Sequence, residues 1–367
     1  MQGQTIQEAS WSASFHPDSD PENVQAMRNA FLEARRELGN RSLQVSAKVA
    51  PEATHQAVRN GILDLFSKDA TGEDYLYCDP VFTAWMNFLN RAFARGDKDE
   101  IRFHCENISQ VMKRVKERLA GEEEHYIPGT RIALLQADFD PYIMAATPPS
   151  YDFQQQLLPE NGLNGYGHPL ALQQELLGLA FDNIKKAWPE LHKQVEDVVQ
   201  IVGYLPNATF RSCSAARYAG VVYLGNMDER ILDIEESIVH EAGHQVLYRL
   251  GELAPLVKEG TPKTDDYALP WSGSKRDLFG FLHAFYIYTL LTKYFWRRGA
   301  IKEDEYKDCV LRTAYILVGS EKAIPMLLGD DNLSTQGRHL VEELAKDMEA
   351  MRPDVEKAWQ KIAQNHG

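Results

Sequence analysis

Two histidines and a glutamate in the pattern His-Glu-x-x-His are the residues of this chain best suited to chemistry. His240 and His244 are four residues apart, so on an α-helix both imidazoles lie on one face and can bind one metal ion. Glu241 can reach a metal-bound water or the metal itself. The neighbouring residues are apolar or small, which favours a buried helix. The sequence therefore predicts half of a divalent-metal site.

A catalytic metal needs at least one more protein ligand. His283 is the first candidate, because it stands in the middle of an otherwise apolar segment downstream of the motif. Glu252 and Glu259 compete with it, since the loop that follows the motif could fold back towards the metal. A glutamate as third ligand would favour a peptidase. His283 with an arginine nearby would favour an oxygenase.

Arg276 is the first candidate for binding an anion next to the metal. A helix capped by Ser274, with Asp277 at its third position, would place Arg276 two turns before His283, about 10 Å along the axis. From there its guanidinium could bind one carboxylate of a small acid whose other end chelates the metal. Arg211 and Arg217 are the alternative anion binders.

Three aromatic residues near these positions could line the pocket: Tyr248, Trp271 and Tyr286.

The rest of the chain predicts a mostly α fold with a small β-sheet, of the α+β class. Helices are expected near 22–38, 51–67, 80–95, 98–119, 168–188, 278–296 and 335–363, and an irregular connection over 129–167. Two β-branched segments, Val195–Tyr204 and Ala219–Leu224, are predicted strands. The second precedes the metal helix, where an edge strand could pair with an extended peptide. We expect a helical N-terminal region over 1–190, a catalytic core over 191–300 and C-terminal helices over 301–367 packed on the core.

Composition limits the classes of partner. A net charge of -14 and a pI near 5.3 argue against nucleic acid or an anionic membrane, because both would be repelled. The four cysteines lie far apart with no paired spacing, which favours reduced thiols in a cytoplasmic protein. The N-terminus lacks the pattern of a secretory signal. The oligomeric state is left open.

Three segments together carry a resemblance to a known family. They are His-Glu-Ala-Gly-His-Gln-Val-Leu-Tyr from 240, Leu-Pro-Trp-Ser-Gly-Ser-Lys-Arg from 269, and Leu-Phe-Gly-Phe-Leu-His-Ala-Phe-Tyr-Ile-Tyr from 278. Over about residues 195–300 the chain resembles the HExxH-motif peptide-modification family, the 2-oxoglutarate-type peptide β-hydroxylases that act in the biosynthesis of ribosomally made, post-translationally modified peptides. The resemblance implies iron(II), 2-oxoglutarate and O2 as cofactors and co-substrates, a peptide or amino-acid substrate, and His240, His244 and His283 as metal ligands.

Two other classes stay open at this point. A zinc metallopeptidase would use His240, His244 and a downstream Glu or His, with Glu241 as general base on a zinc-bound water. A binding protein with a degenerate site would hold no metal. In the oxygenase, Glu241 would be either a ligand or a group that orients one. Arg276, with Arg211 as the alternative, would bind the distal carboxylate of 2-oxoglutarate, and Trp271 would lie against the cofactor.

Overall fold

The computed structural model describes residues 14–57, 78–119, 125–135, 170–204, 211–225 and 230–364. Within them the chain is mostly helical with a few short strands, as predicted. The helices are α1 (Pro21–Val49), α2 (Pro51–Ala57), α3 (Pro80–Arg95), α4 (Lys98–Glu106), α5 (Ile108–Leu119), α6 (Leu170–Ala187), α7 (Pro189–Val198), α8 (Ile231–Leu253), α9 (Leu278–Ile301), α10 (Tyr306–Leu328) and α11 (Thr335–Gln364).

The chain divides into two compact units, and the three consecutive regions expected from the sequence stay a prediction. The first unit comprises Met1–Arg28, Ala180–Val195 and Ile238–Gly367, and the second comprises Asn29–Leu179 and Glu196–Ser237. The chain enters each unit more than once, so contacts between distant segments define them. The motif helix belongs to the first unit from Ile238 onward.

A four-stranded sheet lies in the second unit. Its strands are β1 (Ala133–Leu135), β2 (Ile201–Tyr204), β3 (Ser212–Cys213) and β4 (Val221–Leu224), in the order β1-β2-β4-β3. Strands β1, β2 and β4 are parallel, and β3 is antiparallel to β4. Strand β4 has a neighbour on each side, so the prediction that it is an edge strand open to a peptide is wrong. The strand is also fully buried, which explains its run of apolar residues.

Several predicted segments differ in detail from the structure. Val195–Val198 is the end of helix α7 rather than the start of a strand, because Leu191, Val195 and Val198 follow helical spacing after Pro189 and bury one face. The irregular segment 129–167 contains strand β1, and its residues after 135 lie outside the described part. The predicted helix 98–119 is broken at Asn107.

Helix α9 is the central helix of the first unit, with sixteen buried residues along its length. Its N-cap is Asp277, whose carboxylate accepts from the backbone N–H of Gly280 at 2.8 Å. The predicted cap at Ser274 is wrong, because the carbonyl of Ser274 accepts from the N–H of Leu269 in a turn between strands β5 (Tyr267–Ala268) and β6 (Lys275–Arg276). Among the described helices, none is long and apolar enough to cross a bilayer.

Candidate metal centre

Helices α8 and α9 approach each other closely at Gly243. A Cβ atom added there would lie 3.2 Å from Ile287 and 3.3 Å from Leu290, both on α9. Such spacing is tighter than an ordinary van der Waals contact, so the small residue between the two motif histidines lets the helices pack. The two helices are antiparallel. The ring of His240, early on α8, is near that of Tyr288, whereas the ring of Tyr248, later on α8, is near that of His283, which comes earlier on α9.

This packing brings His283 to the motif. The Nδ1 atoms of His244 and His283 are 3.3 Å apart, and the ring centroids of His240 and His244 are 5.0 Å apart. Two nitrogens that share a tetrahedral metal at about 2.0–2.1 Å are themselves about 3.3–3.4 Å apart, so the separation suits a shared ion. The other ring nitrogen of His283, Nε2, is buried and has no hydrogen-bond partner in the described part of the chain.

Burial keeps two of these imidazoles neutral. It lowers the pKa of His283 to about 3, and it lowers the pKa of His244 well below its usual range, with smaller contributions from the charges of His240 and His283. A neutral imidazole has a lone pair that a metal can take, whereas the protonated form has none. At neutral pH the nitrogen donors of His244 and His283 are therefore of the kind that a divalent transition metal such as iron or zinc binds.

Aromatic rings surround the three histidines. Tyr248 lies one turn beyond His244 on α8, and its ring contacts those of His244 and His283 at centroid distances of 6.0 and 5.6 Å. Phe279, one turn before His283 on α9, contacts the His283 ring at 4.2 Å and is 37% exposed. Tyr288 meets the ring of His240 edge-on at 6.3 Å. Each of the three histidines is thus in contact with at least one aromatic ring, and Phe279 is the most exposed of these rings.

Of the competing third ligands, His283 is the one found beside the motif. Glu252 is exposed near the end of α8, about 12 Å of helix beyond His244, and Glu259 is exposed in the following loop. Glu241 is buried, with 2% of its surface exposed. Because it follows His240 by about 100° around the helix, Glu241 lies on an adjacent face, and its role as ligand, base or orienting group stays a prediction.

The arginines predicted to bind an anion lie elsewhere than expected. Arg276 is in strand β6 and exposed, and its guanidinium donates to the carbonyl of Lys275 at 2.7 Å. The argument that placed Arg276 two turns before His283 on the same helix is therefore wrong, because α9 begins after it. Arg211, in the second unit, is within 3.6 Å of the carboxylates of Asp233 and Glu236. The side chain of Arg217 lies outside the described residues, and anion binding by the others stays a prediction.

Three further predictions concern aromatic residues. Tyr248 contacts the metal-ligand candidates, as described above. Trp271 is buried and stacks on Tyr288 at a centroid distance of 4.4 Å. Tyr286 is also buried, but its hydroxyl donates to the carbonyl of Phe15 at 3.2 Å and its ring packs on His16. Tyr286 is therefore a core residue.

A second group of possible ligands lies in the same unit. Potential ligand atoms of His16, Asp18 and Asp347 all lie within 4.8 Å of one another, which among the described residues is true of no set built from His240, His244 and His283. Lys293 donates to both carboxylates, at 2.9 Å in the case of Asp18, and Arg297 donates to Asp18 at 3.0 Å. The two negative charges are therefore already balanced by two positive ones.

The electrostatics of this second group disfavour a further cation. The pKa of His16 is held well below its usual range, first by burial and then by the positive charge of Lys293. The positive charge of Lys293, the smaller of these two causes, would also oppose a divalent ion beside His16. We interpret His16, Asp18, Asp347 and their two basic partners as an ionic network that joins the N-terminal segment and α11 to α9.

This interpretation makes a prediction about stoichiometry. Metal-stripped protein titrated with Co²⁺ in a calorimeter should bind about one equivalent. The His244→Ala variant should lose this binding, while Asp347→Asn, which removes a charge from the network, should keep it within about threefold. Binding that survives His244→Ala and disappears in Asp347→Asn would assign the metal to the network instead.

Sequence reasoning missed Tyr288, Phe279 and His16. A signal exists for Phe279, which lies one turn before His283 and so on the same face of α9. Tyr288 and His16 carry no comparable signal, because their neighbours come from other segments of the chain.

Comparison with known proteins leaves the site to be judged on its own geometry. No family model matches the chain, and no curated protein matches it.

Proposed function

We propose that this chain is an iron(II)- and 2-oxoglutarate-dependent oxygenase of the HExxH-motif peptide-modification family, which hydroxylates a side-chain β-carbon of a peptide or amino acid. The observation that supports this proposal most is the 3.3 Å separation of His244 and His283, two residues from different helices. It favours His283 over Glu252 and Glu259 as third ligand, which is one half of the pattern expected of the oxygenase; the arginine next to His283, the other half, stays a prediction. His240 would be the third ligand, and its ring would have to turn towards the other two, because no choice of one ring nitrogen from each histidine brings all three within 4.8 Å of one another.

In this proposal, some residues would bind the metal and others would shield it from water. His240, His244 and His283 would hold the metal through neutral imidazoles. Bound iron with the keto acid would supply oxidative chemistry towards O2 and the substrate C–H bond. Tyr248 and Phe279 would shield the metal from bulk water, since their rings lie against His283. Phe279, which is 37% exposed, would contact the substrate.

Arg276 remains our first choice for the distal carboxylate of 2-oxoglutarate. Arg276 is exposed and directly precedes the N-cap of α9. Its Cβ lies 3.2 Å from the point that a Cβ atom added to Gly280 would occupy, so it packs against the first turn of α9. A guanidinium can bind a carboxylate through two parallel hydrogen bonds. Arg211 is the alternative, although two acidic side chains already lie close to it.

The deciding experiment is anaerobic reconstitution with iron(II) followed by 2-oxoglutarate. We expect a visible metal-to-ligand charge-transfer band in the wild type, which reports bidentate binding of the keto acid. Arg276→Ala should raise the 2-oxoglutarate concentration needed for half of the band by tenfold or more, since a charged hydrogen bond is worth about 1.5–3 kcal/mol. Arg41→Ala, at a 65% exposed side chain on α1, is the matched control. Absence of the band in iron-loaded wild type would contradict the proposal.

A zinc hydrolase is the second candidate, and two observations favour it. Three imidazoles without a carboxylate are a common catalytic zinc set, and Glu241 directly follows the first ligand on α8. Such an enzyme would retain zinc through purification and cleave peptides without 2-oxoglutarate. Glu241→Gln would then abolish cleavage while leaving zinc bound.

A further inference from the structure

Two hydrogen bonds connect the turn between strands β5 and β6 to helix α10. The indole N–H of Trp271 donates to the carbonyl of Ile316 at 2.9 Å, and the hydroxyl of Tyr315 donates to the carbonyl of Trp271. Within the turn, Gly273 has a φ of 70° and its N–H donates to the carbonyl of Leu269 at 2.8 Å. Few other residues adopt such a φ without strain, so the turn has a defined shape. Trp271 is therefore held from both its backbone and its side chain.

The indole of Trp271 packs directly against Gly319 on α10. A Cβ atom added at Gly319 would lie 2.1 Å from Nε1 and 2.3 Å from Cδ1 of Trp271, which is far inside van der Waals contact. The indole thus occupies the space that any other residue at position 319 would fill. Only 5% of the surface of Trp271 is exposed.

Tyr288 links the indole of Trp271 to the candidate metal centre. Trp271 stacks on Tyr288 with an interplanar angle of 25°, and Tyr288 in turn meets the ring of His240 nearly perpendicularly, at 88°. A continuous line of contacts therefore runs from Gly319 through Trp271 and Tyr288 to His240. All four residues lie in the first unit.

We infer that Trp271 is a positioning residue of the metal centre, which acts through Tyr288 to fix the orientation of the His240 imidazole. The inference rests on the proposed role of His240 as a metal ligand. A ligand ring that is held in place before the metal arrives loses less conformational freedom on binding, so supporting residues raise metal affinity. Trp271 was expected to lie against a cofactor. Contact with a cofactor stays a prediction. The observed contacts of the indole are with Tyr288 and α10, so the effect inferred here is transmitted to the metal through Tyr288.

The test uses Gly319→Ala, whose added methyl group should displace the indole of Trp271 without contacting the proposed metal ligands. In the metal-free protein we expect shifts in the indole N–H resonance of Trp271, assigned from its loss in Trp271→Phe, and in the ring resonances of His240. Co²⁺ affinity should fall about tenfold, the lower end of the effect of losing an outer-shell partner. Gly251→Ala on α8, where an added Cβ meets nothing within 4 Å, is the matched control and should change none of these.

A double-mutant cycle separates positioning from general damage. In a Tyr288→Leu background, Gly319→Ala should change Co²⁺ affinity less than twofold, because the ring that transmits the effect is gone. A tenfold loss that persists in that background would overturn the inference, as would a displaced Trp271 resonance with His240 resonances and Co²⁺ affinity unchanged. If Gly319→Ala fails to fold, Trp271→Leu takes its place in the same cycle.

The inference and the proposed function fail in different ways. Wild-type protein that binds no Co²⁺ contradicts the metal site itself. The His240 resonances of metal-free protein still report whether Trp271 sets the ring in that case. Normal metal binding that is insensitive to both Gly319 and Trp271 contradicts only the positioning role.

Discussion

Replacing His283 with alanine should weaken metal binding more than about 100-fold, because loss of an outer-shell partner alone costs about 10–100-fold and His283 is a proposed ligand. The residue lies on α9, outside the motif, yet its Nδ1 is 3.3 Å from that of His244. Co²⁺ titration of metal-stripped protein measures the affinity. The visible spectrum of bound Co²⁺ reports the number and type of ligands. Turnover of the iron-loaded variant should fall with its metal content.

Folding must be separated from ligand loss in this variant. His283 is buried, with 5% of its surface exposed, so the alanine leaves a cavity and some loss of thermal stability is expected. His339→Ala, a half-buried histidine on α11 in the same unit, is the matched control and should bind Co²⁺ like the wild type. A His283→Ala protein that is folded and binds Co²⁺ with unchanged affinity and spectrum would remove His283 from the site.

Replacing Gly243 with valine should give the largest loss of stability. The Cβ alone would lie 3.2–3.3 Å from Ile287 and Leu290, and the two further methyl groups of valine have no space between α8 and α9. We expect the free energy of unfolding to fall by about 3 kcal/mol, of which the better helix propensity of valine offsets less than ~1 kcal/mol. Separation of the helices should also draw His244 away from His283 and lower Co²⁺ affinity more than tenfold. Chemical denaturation and Co²⁺ titration measure the two effects.

Gly251 provides the control on the same helix. A Cβ there meets nothing within 4 Å, so Gly251→Val should change the free energy of unfolding by about 0.5 kcal/mol or less. Adding Leu290→Ala to Gly243→Val should recover part of the loss, because the leucine methyl group is one of the two contacts. Wild-type stability in Gly243→Val would show that α8 and α9 are not as close as described.

Local sequence signals determined the features that depend on neighbours a turn or two apart. The helix predicted over 80–95 is α3, and in the structure Asp79 caps it by accepting from the N–H groups of Val81 and Phe82. The spacing of His240 and His244 places both on one face of α8 wherever that helix packs. The predominance of helix follows in the same way, since amphipathic spacing is a property of short segments.

The tertiary structure decided everything that joins distant segments. Ser274 is as good a cap residue as Asp277, but the β5–β6 turn uses its carbonyl and the helix starts later. A β-branched segment does not reveal whether it lies at the edge of a sheet, and β4 acquires its second neighbour from β3. Likewise, Trp271 has space for its indole only because the residue of α10 that faces it, Gly319, has no side chain.

The candidate metal centre combines both kinds of information. The motif supplied two histidines on one helix face from spacing alone. Whether His283, Glu252 or Glu259 stands beside them depends on which segment packs against α8, and no local pattern contains that choice. The close approach at Gly243 brings α9 there and sets His283 against His244, because two helices can pack this closely only where a side chain is missing.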